Sequence, residues 1–492
     1  MKRALMMLLA CCGFAAQAEP DFSAADRIVE ELRLDAHIPG MVYGVVIDGK
    51  LVHVAGFGVQ DIVSNRPVTP DSLFRIASMT KAFTALTILQ QRDLGRLSLD
   101  EPAEKYVPEL QSWPYPTSDS PKIRVRDLLS HVAGFVTDDP WGDRQTPLPE
   151  ADFTALLKAG VPFTRAPQTG FEYSNLGYAL LGRIISNVSR KPFEESISRT
   201  LLEPLGMSSS GFVADAAPAE RRSLGYRWED DQWRPEPALG PGAFGAMGGL
   251  QTSARDYAKW VAFLLSAWPP RDGPELEPVK RSTVRELAQG LNFPALRKRP
   301  GRSGDEACRQ AAAYGMGFYV AVDCDLGLTL SHGGGYPGFG SRVLLLPERG
   351  VGIFAFANRT YAGPSPAVWD VALALDKAGI LPPPRSVQPG PALLDGYRAA
   401  GEIFRAGAIE AAGDRLAMNV LLDHDSRHWS QMLGKVRAES GDCDTGSPLS
   451  AEGSLSGSFT WTCAHGRVRG EIEMAPTSPP RLQSLELEPV KP

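Results

Sequence analysis

The strongest constraint on the fold is the way alternating apolar runs cluster near the two ends of a long stretch of chain. Met41–Ile47 and Leu51–Val59 are β-rich and meet at Asp48-Gly49, the strongest short-range hairpin signal. Similar runs return at Tyr314–Val322, Leu326–Ser331, Ser341–Leu346 and Val351–Ala357. Pro347-Glu348-Arg349-Gly350, between the last two, reads as a second hairpin turn. From about Ser78 to Leu291 the periodicity is helical, with many loops. Residues 22–36 pattern as an amphipathic helix, and Pro366–Gly379 as a closing helix with proline tolerated in its first turn. The expected architecture is an α/β (α+β) sandwich: an antiparallel sheet built from both ends, flanked by helices, beside a mostly helical subregion.

Leu381-Pro382-Pro383-Pro384 and Pro389-Gly390-Pro391 mark a stiff linker over 381–391. Beyond it, residues 392–492 carry helical patterning to about Val436 and then strand alternation, as in Phe459, Trp461, Cys463 and Val468, Ile472, Met474. That order implies a small α+β domain following a main domain of residues 19–380. Hydrophobic residues at 43% and charged residues at 22% of 492 rule out a wholly disordered chain. A net charge of −6 and the lack of any recognisable motif argue against nucleic-acid binding.

Lys2 and Arg3, a short apolar run from Ala4 to Cys11, and Ala16-Gln17-Ala18 read as a signal peptide cleaved after Ala18. The alternative is a lipoprotein signal at Leu8-Leu9-Ala10-Cys11, where leucine before the small residue is an uncommon choice. No stretch reaches about 18 uninterrupted apolar residues, so no transmembrane helix is expected. A periplasmic or secreted location follows. Four cysteines remain outside the leader and allow three pairings; proximity favours Cys308–Cys324 and Cys443–Cys463.

The chemistry centres on Ser78-Met79-Thr80-Lys81, which opens a helical run. Serine needs a base within hydrogen-bond reach to act as a nucleophile, and positions i and i+3 of a helix share a face. Taken alone, the tetrapeptide is more simply an N-capping serine beside a surface lysine. Two further elements change that weighting. Tyr173-Ser174-Asn175 follows Ser78 by 95 positions, and His332-Gly333-Gly334-Gly335 follows Tyr173 by 159. With Phe74–Ala77, Ile123–Gly134, Tyr173–Gly182 and Met247–Trp260, this set resembles the penicillin-recognising serine hydrolases over roughly residues 25–380. Within them it is similar to the branch of class C β-lactamases, D-Ala-D-Ala carboxypeptidases, D-aminopeptidases and related esterases.

The resemblance implies roles residue by residue. Ser78 would be acylated, Lys81 would ease its deprotonation, and Tyr173 would pass the proton to the leaving group. Lys81 would supply the field that draws the Tyr173 pKa down from about 10. Asn175 would hydrogen-bond the substrate amide or acyl side chain, and the N–H groups of Ser78 and Gly335 would form the oxyanion hole. His332 replaces the lysine usual in β-lactamases, so it offers a mostly neutral ring with one donor for orienting a carbonyl. Expected substrates are therefore small esters, amides or D-amino peptides, cell-wall fragments among them. A true class C-like β-lactamase and a non-catalytic penicillin-binding sensor are the alternatives.

No metal or other cofactor is expected. Arg342 reads as a strand arginine facing solvent, and Arg297-Lys298-Arg299 with Arg302 as a solvated insertion. His131 reads as structural, and His424 and His428 as one solvated helix face. There is no G-x-S-x-G and no H-E-x-x-H. Oligomeric state is not legible.

Overall fold

The computed structural model describes residues 20–213, 216–275, 277–292, 295–300, 308–385 and 387–490. The leader at 1–18, with Cys11, and Arg302 lie outside the described residues. The chain forms two compact units: the chain up to Ser266 with Glu275–Pro382, and Ala267–Pro274 with the chain from Pro383.

In the first unit, α1 (Ser23–Asp35) leads into β1 (Gly40–Ile47), β2 (Lys50–Asp61) and β3 (Arg66–Pro67). The sheet resumes with β4 (Ala295–Lys298), β5 (Arg309–Tyr314), β6 (Tyr319–Asp323), β7 (Gly327–Tyr336), β8 (Phe339–Leu346) and β9 (Val351–Ala357). These make a nine-stranded sheet among the described residues, in the order β3-β2-β1-β9-β8-β7-β6-β5-β4. All pairs are antiparallel, and β1 joins the two halves of the chain through Met41↔Ala357 to Ile47↔Val351.

Every residue of β9 is buried, so β9 reads as a continuous apolar run rather than an alternating one. Helices cover both faces. On one, α1 and α5 (Ser365–Lys377) pack Val29, Trp369 and Leu375 against Tyr43, Val45, Leu344 and Ile353. On the other, α4 (Ala254–Leu265) sets Tyr257 edge-on to Phe354 and Phe356, with ring centres 5.1 and 5.3 Å away. The intervening helical region contributes α2 (Thr80–Asp93) and α3 (Asn175–Ser189), and Phe83 of α2 stacks on Trp260 of α4 at 3.9 Å. The expected sandwich is what forms.

The second unit carries α6 (Pro391–Ala406) and α7 (Ser426–Ser440), then β10 (Cys443–Asp444), β11 (Ser450–Ala451), β12 (Ser456–Cys463), β13 (Gly466–Met474) and β14 (Leu482–Val490). Its core joins Phe404 and Leu433 to Trp461, Val468 and Ile472. Disulfides link Cys443 to Cys463 across β10 and β12, and Cys308 to Cys324 in the first unit. Among the described residues, no helix is long and apolar enough to cross a membrane.

Several local expectations are corrected. Tyr314–Val322 is not one strand: the chain reverses between β5 and β6, with Gly317 at φ +82°. A Cβ on Gly317 would lie 2.7 Å from Cα of Ala82, so this turn presses its backbone against the start of α2. β7 runs past the expected end at Ser331, through His332 to Tyr336. Arg297 and Lys298 are exposed, as expected, on edge strand β4, with Arg297 over the Tyr319 ring at 4.7 Å. Arg299, just past the strand, departs from the expectation, being half-buried and ion-paired with Asp323 at 2.7 Å and Asp325 at 2.5 Å. His424 falls outside the helix, because Asp425 caps α7 by accepting the His428 N–H at 2.8 Å.

Candidate active site

Ser78 occupies a single turn of 3₁₀ helix, Ala77–Met79, that runs into α2. Ala77 has φ +50°, an unfavourable conformation for a residue with a Cβ, and it is wedged against β7. A Cβ on Gly334 would collide with the Ile76 carbonyl oxygen and lie 2.9 Å from the Ala77 Cβ. Glycine at 334 is therefore what lets the strand reach the serine turn. Ser341 of β8 fixes the same turn by donating to the Ile76 carbonyl at 2.7 Å.

Lys81, one turn along on the same face, is fully buried. Its ammonium donates to Ser78 Oγ at 2.9 Å, to Asn175 Oδ1 at 2.7 Å and to the Met247 carbonyl at 2.9 Å. A buried cation with three acceptors avoids the desolvation cost of an unpaired charge. Burial draws its pKa down to about 8, against the opposing pull of Asp139, Asp143 and Asp138. That value sits close to working pH.

Tyr173 precedes α3, whose N-cap Ser174 accepts the Gly177 N–H at 3.3 Å. The Lys81 nitrogen lies 4.9 Å from the Tyr173 ring centre, and His131 packs on the ring at 4.3 Å. Burial, followed by the Asp139 charge, pushes the phenol pKa well above its usual value, while a hydrogen bond with Ser78 acts the other way. The expected depression by Lys81 is thus overturned, and Tyr173 rests as the neutral phenol. His131, with Nδ1 accepting the Ser174 N–H at 3.2 Å, is a packing residue behind it.

Asn175 is fully buried, and both ends of its amide are engaged: Oδ1 by Lys81 and Nδ2 by the Asp139 carboxylate. Asp138 accepts the N–H groups of Asn175 and Leu176 at 2.6 and 2.9 Å, capping α3. Asp143 lies on the short helix Trp141–Arg144 that follows, its pKa pushed up to about 7 by burial and then by Asp139, and it takes a hydrogen bond from Tyr361. The three acids were missed from sequence. Their signal was present as three aspartates within residues 138–143, just ahead of Tyr173-Ser174-Asn175.

His332 is brought to the same site, its ring 6.2 Å from that of Tyr173, and both of its ring nitrogens are engaged within the protein. Nδ1 lies 2.6 Å from the Gly333 carbonyl, which can only accept, so this nitrogen carries the proton. Nε2 then accepts from the Tyr314 hydroxyl at 2.9 Å. Burial, then the Lys81 charge, lowers the ring pKa to about 3. The one ring donor is turned to the Gly333 carbonyl. Arg342 does not replace it, nor does it face solvent freely. It pairs with Gly333 across the β7–β8 ladder, shares the α1/α5 face with Leu344, and donates to Ser331 Oγ at 2.9 Å. Burial lowers its pKa to about 10.

β6 pairs with β7 only as far as Tyr319↔Ser331, so from His332 onward β7 is laddered on one side alone, to β8, among the described residues. Gly335 lies on this stretch, beside the Tyr361 ring. A separate cavity of about 510 Å³, lined by Arg124, Ser130, Gln168, Phe171, Leu291 and Asn292, lies off the serine and contains none of the residues named above for chemistry. Among the described residues, no group of three or more His, Cys, Asp or Glu side chains is arranged to hold a metal ion.

A serine on a helix-initiating turn, a buried lysine one turn on, and a glycine-rich strand laid against both define the fold class of penicillin-binding proteins and serine β-lactamases. The chain belongs to the Beta-lactamase family, which it matches over residues 25–377. It is 28% identical over 340 residues to Protein flp of Staphylococcus aureus strain N315, covering 68% of this chain and 62% of that protein. It thus spans less than two thirds of the curated relatives it matches first. Beta-lactamase-like protein 2 of Dictyostelium discoideum is 30% identical over 257 residues, covering 50% of this chain and 46% of that one. Among solved structures, an octameric penicillin-binding protein homologue from Pyrococcus abyssi superposes with a TM-score of 0.60 at 20% identity, over 93% of this chain and 97% of its own. A class C β-lactamase gives 0.57 at 21%, over 72% and 96%.

Proposed function

We propose that the protein is an exported serine hydrolase that works through an acyl-Ser78 intermediate on small esters, amides or D-amino peptides. The observation that carries this reading is the 2.9 Å contact between Lys81 Nζ and Ser78 Oγ, with the lysine pKa drawn to about 8. A base is most effective when its pKa lies near the operating pH. In its neutral form Lys81 takes the Ser78 proton as Oγ attacks the carbonyl carbon. The displaced electron pair moves onto the carbonyl oxygen, which the N–H groups of Ser78 and Gly335 receive. Tyr173, as the phenol, gives its proton to the leaving oxygen or nitrogen while that bond breaks, and the Lys81 ammonium returns one to it. Water then attacks the acyl-enzyme and the proton steps run in reverse.

The neutral, fully engaged His332 supports slow β-lactam turnover, because no fixed cation stands at its position for the substrate carboxylate. The two disulfides support export to an oxidising compartment. The test is kcat/KM for nitrocefin, p-nitrophenyl butyrate and a D-Ala-D-Ala peptide on one preparation. Ester or peptide turnover ahead of nitrocefin is expected. Nitrocefin ahead of both by orders of magnitude would make the protein a true β-lactamase, and no turnover with stable penicillin labelling would make it a sensor.

A further inference from the structure

The Ser78–Lys81 pair does not end at Asn175. The amide passes the contact on: Lys81 Nζ donates to Asn175 Oδ1 at 2.7 Å, and Asn175 Nδ2 donates to the Asp139 carboxylate. An asparagine amide can flip by half a turn about its last bond, which would put an N–H donor against the Lys81 ammonium. The Asp139 carboxylate only accepts, so it selects the orientation with Oδ1 towards Lys81. The backbone beneath is held independently, since Asp138 takes the N–H groups of Asn175 and Leu176. Asp139 itself is exposed, which makes it an unneeded residue for the core and frees it for this contact.

Resting on the acyl-Ser78 reading, we propose that Asp139 is a positioning residue of this site: it locks the Asn175 amide, and through it aims Lys81 at Ser78. The chain runs carboxylate, amide, ammonium, hydroxyl. It has the logic of a base oriented by a third group, with an amide inserted between the anion and the base. The charge also matters. The groups facing Lys81 are Asp138 and Asp139, Asp143 from the short helix after them, His131, Tyr173 and Tyr178 from the α3 side, and His332 from β7. Asp139 is the largest of the three anionic contributions that keep Lys81 basic after burial.

The experiment measures kcat, KM and the pH profile with an ester substrate for Asp139→Asn and Asp139→Ala. The first substitution keeps an acceptor for Asn175 Nδ2 but loses the charge; the second loses both. Asp139→Ala should lower the plateau kcat by about tenfold to a hundredfold with little change in KM, as for a misaimed base. Asp139→Asn keeps an acceptor but adds a donor that no longer excludes the flipped amide, so its plateau should lie between those of Asp139→Ala and the wild type. Both should move the ascending limb to lower pH, because the anion that raises the Lys81 pKa is gone. A loss without a limb shift would mean a merely structural role and would overturn the assignment. So would plateau rates within about twofold of wild type in Asp139→Ala. Ser78→Ala run alongside separates the two readings: if it keeps turnover, the acyl-Ser78 reading itself fails, whereas an inactive Ser78→Ala with unaffected Asp139 variants removes only Asp139.

Discussion

The Tyr314 hydroxyl donates to Nε2 of His332 at 2.9 Å, so both nitrogens of this imidazole are satisfied inside the protein. A ring 3% exposed with its pKa drawn to about 3 is neutral in the folded protein near pH 7. The usual pKa of histidine is about 6.5, so the unfolded chain binds this proton more readily than the folded one. Stability from this group is therefore fully present above about pH 6.5 and is lost as pH falls from there towards about 3. His131, lowered well below its usual value by burial, adds to the same trend. The urea midpoint should fall between pH 7 and pH 5, and the fall should shrink in His332→Gln, which has no titrating ring. An undiminished fall in that variant would remove His332 as its source.

Tyr314→Phe should destabilise the protein by about 1–3 kcal/mol, since it strands the buried Nε2 without a donor. Equilibrium urea unfolding reads this directly. The ester kcat/KM should change less than in any variant of Ser78, Lys81 or Tyr173.

With Lys81 drawn to about 8, kcat/KM for a neutral ester should climb with pH and level off above an apparent pKa near 8. Lys81→Arg preserves a cation but cannot shed a proton, so it should cost about 10²–10⁴-fold. A pH-independent rate from 6 to 9 in the wild type would exclude Lys81 as the base.

Gly334→Ala should disable the site even though it adds a single methyl group. Its Cβ would overlap Ser341 Oγ and the Ile76 carbonyl oxygen, displacing the turn that carries Ser78. Loss of penicillin or fluorophosphonate labelling, with a lowered Tm, is the expected result.

Replacing Cys443 and Cys463 by serine should cost the second unit roughly 3 kcal/mol, from the loop entropy of a 20-residue separation. Ester turnover should be retained, because the core of that unit rests on Trp461, Leu433 and Phe404 and carries none of the candidate site. Thermal unfolding and steady-state rates on one preparation check both halves.

The sheet was legible because its strands advertise themselves locally: Asp48-Gly49 turns one hairpin, and β9 is an unbroken apolar run. The reversal between Tyr314 and Tyr319 was hidden because Tyr314, Met316 and Phe318 keep alternating apolar through the turn. Ser78, Lys81, Tyr173 and Asn175 were readable as spaced motifs. Their partners were not, because Tyr314, Asp139 and the Met247 carbonyl reach the site only through long-range packing. The same gap explains the Tyr173 pKa: sequence places a lysine near it, whereas burial and Asp139 decide its direction.

Acylation at Ser78 is tested most directly by intact-mass and peptide-mass analysis after incubation with a fluorophosphonate, on the wild type and on Ser78→Ala. One adduct per chain is expected, carried by the peptide containing Ser78, with neither adduct nor ester turnover in the variant. Labelling at another residue, or near-normal turnover by Ser78→Ala, would contradict it.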